Sequence, residues 1–198
     1  MWKVQFNKPN FKQDRCFPPN AEVIMFKVRQ TFKAPIESVF VVSILQNYRR
    51  LWDTKLNDFK ELYMTPDYSY GRVYYNFKSP FKGIINDRDF YLLQAVRRDF
   101  PEKGDIAIVT KSLPAHPECP IIRDKIRAQT HIVAFIYRPV VDKASGEQWT
   151  EVFMVSCIDI NGDVPKLFIN NFSASVPREN FAEFEAASIA HSKGSLRL

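Results

Sequence analysis

Cysteine is scarce in this chain of 198 residues: there are three, Cys16, Cys119 and Cys157, and no two are near each other in sequence. Without a CxxC pair, the sequence supports neither a structural zinc site nor a disulfide framework. A reducing compartment is the default expectation for such a chain.

Long apolar runs are also lacking. No stretch of about 18 apolar residues predicts a membrane-spanning helix, and the N-terminus "MWKVQFNKPN" has no apolar segment of the signal-peptide kind. We therefore expect a cytoplasmic protein, with export in a longer precursor left open. The length predicts one domain over residues 1–198, with a flexible tail at 192–198.

The sequence contains none of the motifs GxSxG, HExxH, GxxxxGK[ST] and GxGxxG. His116, His131 and His191 have no spacing that suits a metal ion, and no pair of carboxylates stands out. We therefore predict a protein that is not an enzyme and has no metal or cofactor. A catalytic pair that is distant in sequence stays open.

Basic and aromatic residues are plentiful: the net charge is +6 and aromatic residues make up 14% of the chain. A modest basic excess suits an anionic membrane surface, nucleic acid or simple solubility. The aromatic residues alternate within apolar strands and do not interleave with Lys or Arg as in a base-stacking surface. We therefore expect no nucleic acid partner, and we expect a monomer.

The order of predicted elements indicates an α+β fold. "VIMFKVRQTF" alternates as a half-buried strand does, and "APIESVFVVSILQNYRRLWD" has apolar residues at helical spacing. Six further strands follow: "FKELYM", "RVYYNF", "DFYLLQAV", "DIAIVTKS", "AQTHIVAFIYR" and "EQWTEVFMVSCIDI". Gly146 is expected to take a positive φ in the last hairpin loop, and the Pro-rich segment Leu113–Lys125 is predicted to be a long loop.

The C-terminal segment returns to helical spacing. Asp163 is a candidate N-cap, Pro165 suits the first turn, and Pro177 predicts a kink or break near Ser175. One helix cannot fill a sheet of six or more strands. The pattern therefore predicts a curved antiparallel sheet that surrounds a long C-terminal helix and encloses a cavity.

The stretch "YRRLWD" poses one question. Arg49 and Asp53 are four residues apart, so both lie on one face of a helix. The spacing leaves open whether they form a solvated surface pair or a polar pair that faces the interior.

Four stretches together resemble the START lipid-transfer domain family: "YRRLWD", "SPFKGIINDRDFYLLQAVRRD", "KSLPAHPECPIIRDKIRA" and "DINGDVPKLFINNFSASVP". Their order and spacing are those of the family from about Trp2 to about Ser192, and the phosphatidylcholine-binding branch is the most similar. The resemblance implies a helix-grip fold with a tunnel for one lipid. The family's N-terminal helix is missing, because "WKV" already resembles the first strand; we expect that the chain is trimmed or has lost this helix.

The resemblance also implies a lipid-binding site. Arg49 would bind the lipid phosphate through a bidentate fork, with Asp53 holding the guanidinium in place. Gln94 stands where sterol-binding members have an arginine, so a sterol is disfavoured. Further residues are implied to line the tunnel or to enclose a choline group: Trp52, Tyr75, Phe90, Gln94 and His131.

A gate and membrane contact are implied for the Leu113–Lys125 loop and the C-terminal helix, with Pro177 as a hinge. Arg88 and Arg127 match family positions that we interpret as structural braces. The predicted gate residues are Ile121, Ile122, Arg123, Lys125, Phe168 and Phe172.

These expectations describe a carrier of one phosphatidylcholine-like phospholipid between membranes, with the lipid as its only ligand. A lipid-sensing or scaffold module that binds lipid without ferrying it is the first alternative. An enzyme with the same architecture is the second, and it would need a titratable pair converging in the tunnel.

Overall fold

The computed structural model describes residues 1–18, 23–79, 85–162 and 166–196, with the backbone alone at 166–176. Ten strands and three helices lie in these ranges. The strands are β1 (Lys3–Lys8), β2 (Phe11–Cys16), β3 (Met25–Phe32), β4 (Leu56–Met64), β5 (Tyr70–Phe77), β6 (Arg88–Arg98), β7 (Ile106–Ser112), β8 (Ile126–Arg127), β9 (Gln129–Val141) and β10 (Gln148–Asp159). The helices are α1 (Ile36–Ile44), α2 (Gln46–Trp52) and α3 (Lys166–Ser192).

The strands form one sheet in the order β1-β2-β3-β10-β9-β7-β6-β5-β4, and β8 pairs with β6. All pairs are antiparallel except β6–β8. The seven predicted strands and the positive φ of Gly146 are confirmed. The β1–β2 hairpin and β8 lack a clear sequence signal, because the hairpin is largely polar and β8 has two residues.

Helix α3 contacts both ends of this sheet. Lys55 Nζ, just before β4, lies 2.6 Å from Asn180 Oδ1, and the Phe11 ring of β2 lies 6.2 Å from the Phe181 ring. One helix reaches opposite ends of a ten-stranded sheet only if the sheet curls around it. The predicted fold of a curved antiparallel sheet with a long C-terminal helix is confirmed.

The helix predicted up to Asp53 is divided in two at Leu45, whose φ of −77° and ψ of 125° are extended. The last carbonyls of a helix need partners outside it. Trp52 Nε1 donates to the Val42 carbonyl at 3.0 Å and so satisfies one of them. This contact also fixes α2 against α1.

Helix α3 runs without interruption through Pro177, so the alternative of a break near Ser175 is wrong, and the alternative of a kink stays a prediction. A proline inside a helix costs about 3 kcal/mol. Burial of Phe181 and Phe184, at about 1.5–3 kcal/mol for each side chain, is enough to offset that cost. Asp163 and Pro165 lie outside the described residues. No helix in the described ranges is long and apolar enough to cross a bilayer.

Strand alternation separates the apolar residues of β5 and β6 into two groups. Tyr75 and Phe90 belong to a cluster on the face that also carries Phe59, whereas Tyr74 and Tyr91 belong to a different cluster. Successive residues of a strand point to opposite faces, so the two clusters lie on opposite sides of the sheet. The largest core lies between α3 and the central strands.

Candidate functional site

Arg49 and Asp53 form an ion pair that is largely withdrawn from solvent. Arg49 Nε and Nη2 lie 2.9 and 2.8 Å from Asp53 Oδ2. The side chain of Arg49 is 24% exposed and that of Asp53 is 4% exposed. Of the two possibilities that the spacing left open, the structure has the polar pair that faces the interior.

The pair does not use all of its hydrogen-bonding capacity. Both contacts go to Oδ2, and Asp53 Oδ1 is buried without a hydrogen-bond partner. Arg49 Nη1 makes one further, long contact of 3.4 Å to the Ser43 carbonyl. A guanidinium has five N–H groups, so Arg49 retains donors for an anionic group.

Aromatic rings hold the guanidinium in position. Arg49 Cζ lies 4.7 Å from the centre of the Trp52 ring and 5.9 Å from that of Tyr75. Trp52 stacks on Phe184 of α3 at 5.2 Å, and Tyr75 stacks on Phe59 at 4.5 Å. Cation–π contacts of this kind orient a guanidinium as well as attracting it.

The Tyr75 hydroxyl is adjacent to this pair. Burial raises the pKa of Tyr75; Arg49 acts to lower it and Asp53 to raise it. The hydroxyl therefore stays protonated at neutral pH and remains a hydrogen-bond donor.

The structure brings together two of the three residues predicted to enclose a choline group. The Phe77 ring contacts both of them: its centre lies 5.9 Å from that of Tyr75 and 5.7 Å from that of Phe90. His131 is exposed and lies where β9 has one residue more than β10. In the described ranges, no ring contact or hydrogen bond joins His131 to Tyr75 or Phe90.

Gln94 lies on the same face of β6 as Phe90, four residues further along. Its side chain is buried, and its Nε2 has no hydrogen-bond partner. A buried donor without a partner costs about 1–3 kcal/mol. Gln94, which the sequence predicted to line the tunnel, thus has an unsatisfied polar group on the face of the sheet that carries Tyr75 and Phe90, as Asp53 has at the end of α2.

The Leu113–Lys125 loop covers the opposite face of the sheet. Lys125 Nζ lies 3.2 Å from the Tyr74 hydroxyl, and Cys119 packs with Tyr74 and Tyr91. The loop therefore packs on the side of β5 and β6 that is opposite to the Tyr75 and Phe90 rings.

Two isoleucines of this loop face solvent: Ile121 is 66% exposed and Ile122 is 39% exposed. Arg123 is exposed as well. The side chains of Phe168 and Phe172 lie outside the described residues. The gate assignment of these positions stays a prediction.

Two arginines brace the loops, as predicted. Arg88 donates to the Ile160 and Asn161 carbonyls, each at 2.9 Å, and burial lowers its pKa. Arg127 forms a fork with the two carboxylate oxygens of Asp89, at 2.9 Å each. Burial acts to lower the pKa of Arg127, and Asp89 outweighs it, so the pKa is raised.

Sequence reasoning missed the groups that complete the site. The Ser43 carbonyl and the unpartnered oxygen of Asp53 have no sequence signature, because both depend on how α1 and α2 meet. The stacking partners of Tyr75 and Trp52 could have been found as apolar residues of amphipathic elements.

Comparisons with known proteins agree with this architecture. The model of the START domain family matches residues 2–190. The structure of human StAR-related lipid transfer protein 5 superposes with a TM-score of 0.83 at 18% identity, covering 96% of this chain and 87% of that one. Human STARD10 gives 0.81 at 16% identity, over 97% of this chain and 74% of that one.

The lipid transfer and protein localization domain of human StarD13 gives a TM-score of 0.72 at 21% identity, over 97% of this chain and 88% of that one. At such identities the likeness to solved structures establishes the fold alone. Among curated proteins, no match to the sequence was found.

Proposed function

The chain belongs to the START domain family, and on that premise we propose that it binds one phospholipid between the concave face of its sheet and helix α3 and carries it between membranes. The observation that carries the proposal is the withdrawn Arg49–Asp53 pair with spare hydrogen-bonding groups. The word "lipid" in the names of two matched human proteins agrees with it.

Phosphate is the group that suits Arg49 best. A phosphodiester placed out of water needs charge-assisted donors, and the guanidinium fork supplies them in parallel. Without lipid, Arg49 would be a poorly solvated charge, and Asp53 keeps it paired. Asp53 therefore has the role of a positioning residue for the phosphate-binding arginine.

We further propose that the lipid is phosphatidylcholine-like. Tyr75 and Phe90 share one face, and aromatic rings attract a quaternary ammonium group. Gln94 offers a neutral, buried amide where a hydrogen bond to a lipid ester carbonyl would satisfy its free donor. His131 has no part in this proposal because it is exposed at the bulge.

Transfer requires uptake and release to be nearly balanced. Burial of acyl chains contributes roughly 0.8 kcal/mol per methylene relative to water. The same methylenes are already buried in a bilayer, so the net free energy of exchange is small. A carrier acting as a monomer at cytoplasmic membrane surfaces meets this requirement.

The first test is direct. Native mass spectrometry of the purified chain after incubation with phosphatidylcholine vesicles is expected to show a one-to-one complex, and fluorescent phosphatidylcholine is expected to move from donor to acceptor vesicles. Binding without movement would support the lipid-sensing or scaffold alternative. Neither binding nor movement would refute the proposal.

A second test concerns the exposed loop. Replacing Ile121 and Ile122 with Ser is expected to weaken vesicle docking severalfold, because isoleucine side chains gain free energy on entering the interface. The control is the pair Val109→Ser and Val141→Ser, which removes exposed apolar side chains elsewhere. Equal docking of both variants in a vesicle flotation assay would remove the loop from the membrane contact.

A further inference from the structure

The β1–β2 hairpin concentrates the positive charge of the chain. Residues 1–18 contain four basic side chains and one acidic side chain, a net +3 out of +6 for the whole chain. The single acid, Asp14, is already paired with Lys27 of β3 at 3.0 Å. The hairpin therefore presents almost uncompensated positive charge at one edge of the sheet.

Three of the four cations, Lys3, Lys8 and Arg15, share one face of the hairpin, whereas Lys12 lies opposite Asn7 on the other face. Lys3 lies directly opposite Arg15, and Lys8 lies directly opposite Phe11. Directly opposite residues of neighbouring strands point to the same side, and like charges in that arrangement destabilise the pairing. None of these three cations has an acidic partner within the described residues, so the Lys3–Arg15 pairing in particular is unfavourable unless an anion is present.

Helix α3 adds a fourth cation to this face and completes a recess. Arg178 Cζ lies 5.6 Å from the Phe6 ring centre, and Phe6 contacts Phe11 edge to face at 6.4 Å. The recess has a volume of about 390 Å³. It is lined by Phe6, Lys8, Pro9, Asn10, Phe11 and Arg178.

Strand addition is a poor fit for this edge. Strand β1 has six residues, begins and ends with lysine, and has a bulge between Val4 and Phe6. Short length, lysines and bulges are the features by which sheet edges avoid pairing with another chain. A compact anion seated in the recess fits better than a peptide strand.

We propose that this recess, defined by Lys8, Arg178, Phe6 and Phe11, binds the headgroup of an anionic phospholipid in the membrane surface. The volume of the recess is in the range of small-molecule sites. Its two cations, Lys8 and Arg178, can pair with the phosphate and with a second anionic group of the lipid headgroup. Its two phenylalanine rings suit contact with the glycerol part of the lipid. Lys3 and Arg15 extend the positive surface along the hairpin. The inference rests on the proposed function, because a carrier has to meet a membrane.

The test compares two double variants with equal loss of charge. In a vesicle flotation assay, Lys8→Gln with Arg178→Gln is expected to bind phosphatidylcholine vesicles containing phosphatidylserine about 25-fold more weakly, at roughly fivefold per cation. Binding to pure phosphatidylcholine vesicles is expected to change little. Lys103→Gln with Lys143→Gln, in exposed turns away from the recess, serves as the control.

Two results of the flotation assay would overturn the site. Unchanged binding of the recess variant to anionic vesicles is one, and an equal loss in the control variant, which would indicate net charge alone, is the other. Soluble glycerophosphoserine, added as a competitor, distinguishes a headgroup in the membrane from a free phosphate ester: strong competition at low concentration would contradict membrane docking. One-to-one phosphatidylcholine binding by native mass spectrometry, retained in both variants, separates failure of this site from failure of the proposed function.

Discussion

Replacing Arg49 with Ala is expected to lower the rate of phosphatidylcholine transfer at least tenfold. A hydrogen bond to a charged group contributes about 1.5–3 kcal/mol, and each 1.4 kcal/mol corresponds to a factor of ten in affinity. The guanidinium is also held by the Trp52 and Tyr75 rings, contacts that an alanine side chain cannot make. The measurement is transfer of a fluorescent phosphatidylcholine between vesicles, together with lipid retention by native mass spectrometry.

The same change carries a cost in stability that has to be separated from the loss of binding. Removing Arg49 leaves the carboxylate of Asp53 unpaired where its side chain is 4% exposed. Removal of one partner of a fully buried pair costs about 3–5 kcal/mol. We expect about 2 kcal/mol here, since Arg49 keeps partial contact with water.

Two further variants distinguish the loss of stability from the loss of lipid binding. Arg49→Ala with Asp53→Ala removes the unpaired carboxylate, so it is expected to regain stability but not transfer. Arg49→Lys keeps the charge and loses the planar fork, so it is expected to transfer lipid at an intermediate rate. Transfer by Arg49→Ala at the unaltered rate would show that the phosphate is bound elsewhere.

The sequence predicts the site to the extent that local spacing determines it. The four-residue separation of Arg49 and Asp53 places both on one helical face, and strand alternation places Tyr75 and Phe90 on one side of the sheet. The position of His131 could not be obtained in this way. The extra residue of β9 at that point breaks the alternation, and a bulge depends on the pairing register with β10, which the pattern within β9 alone does not encode.

The Leu113–Lys125 loop illustrates a second limit. Its prolines predict an irregular segment correctly, but they do not indicate which face of the sheet the segment covers. That choice depends on Cys119 packing against Tyr74 and Tyr91, and on the Arg127–Asp89 pair. Strands β5, β6 and β8 meet there, and they are so far apart in sequence that local patterns cannot predict their contacts.

Replacing Arg127 with Ala is expected to destabilise the fold by about 3 kcal/mol, the lower end of the range for breaking a buried ion pair from one side, because the Arg127 side chain is 17% exposed. Asp89 is 1% exposed, and both of its carboxylate oxygens accept from Arg127. Arg127 Nη2 also donates to the Pro120 carbonyl at 3.1 Å and thus ties the loop to β8. Chemical denaturation measures the change, with Arg123→Ala, an exposed position of the same loop, as the neutral control.

The Cys119 thiol provides a second measurement that distinguishes release of the loop from a general loss of stability. Burial raises the pKa of Cys119, while Arg127 acts to lower it. Removing Arg127 alone would therefore make the thiol less reactive, whereas release of the loop would expose it and make it more reactive. We expect faster labelling of Cys119 by a thiol reagent, with Cys157, which is buried in β10, as the internal reference. Slower labelling of Cys119, or equal acceleration at both cysteines, would mean that Arg127 does not hold the loop in place.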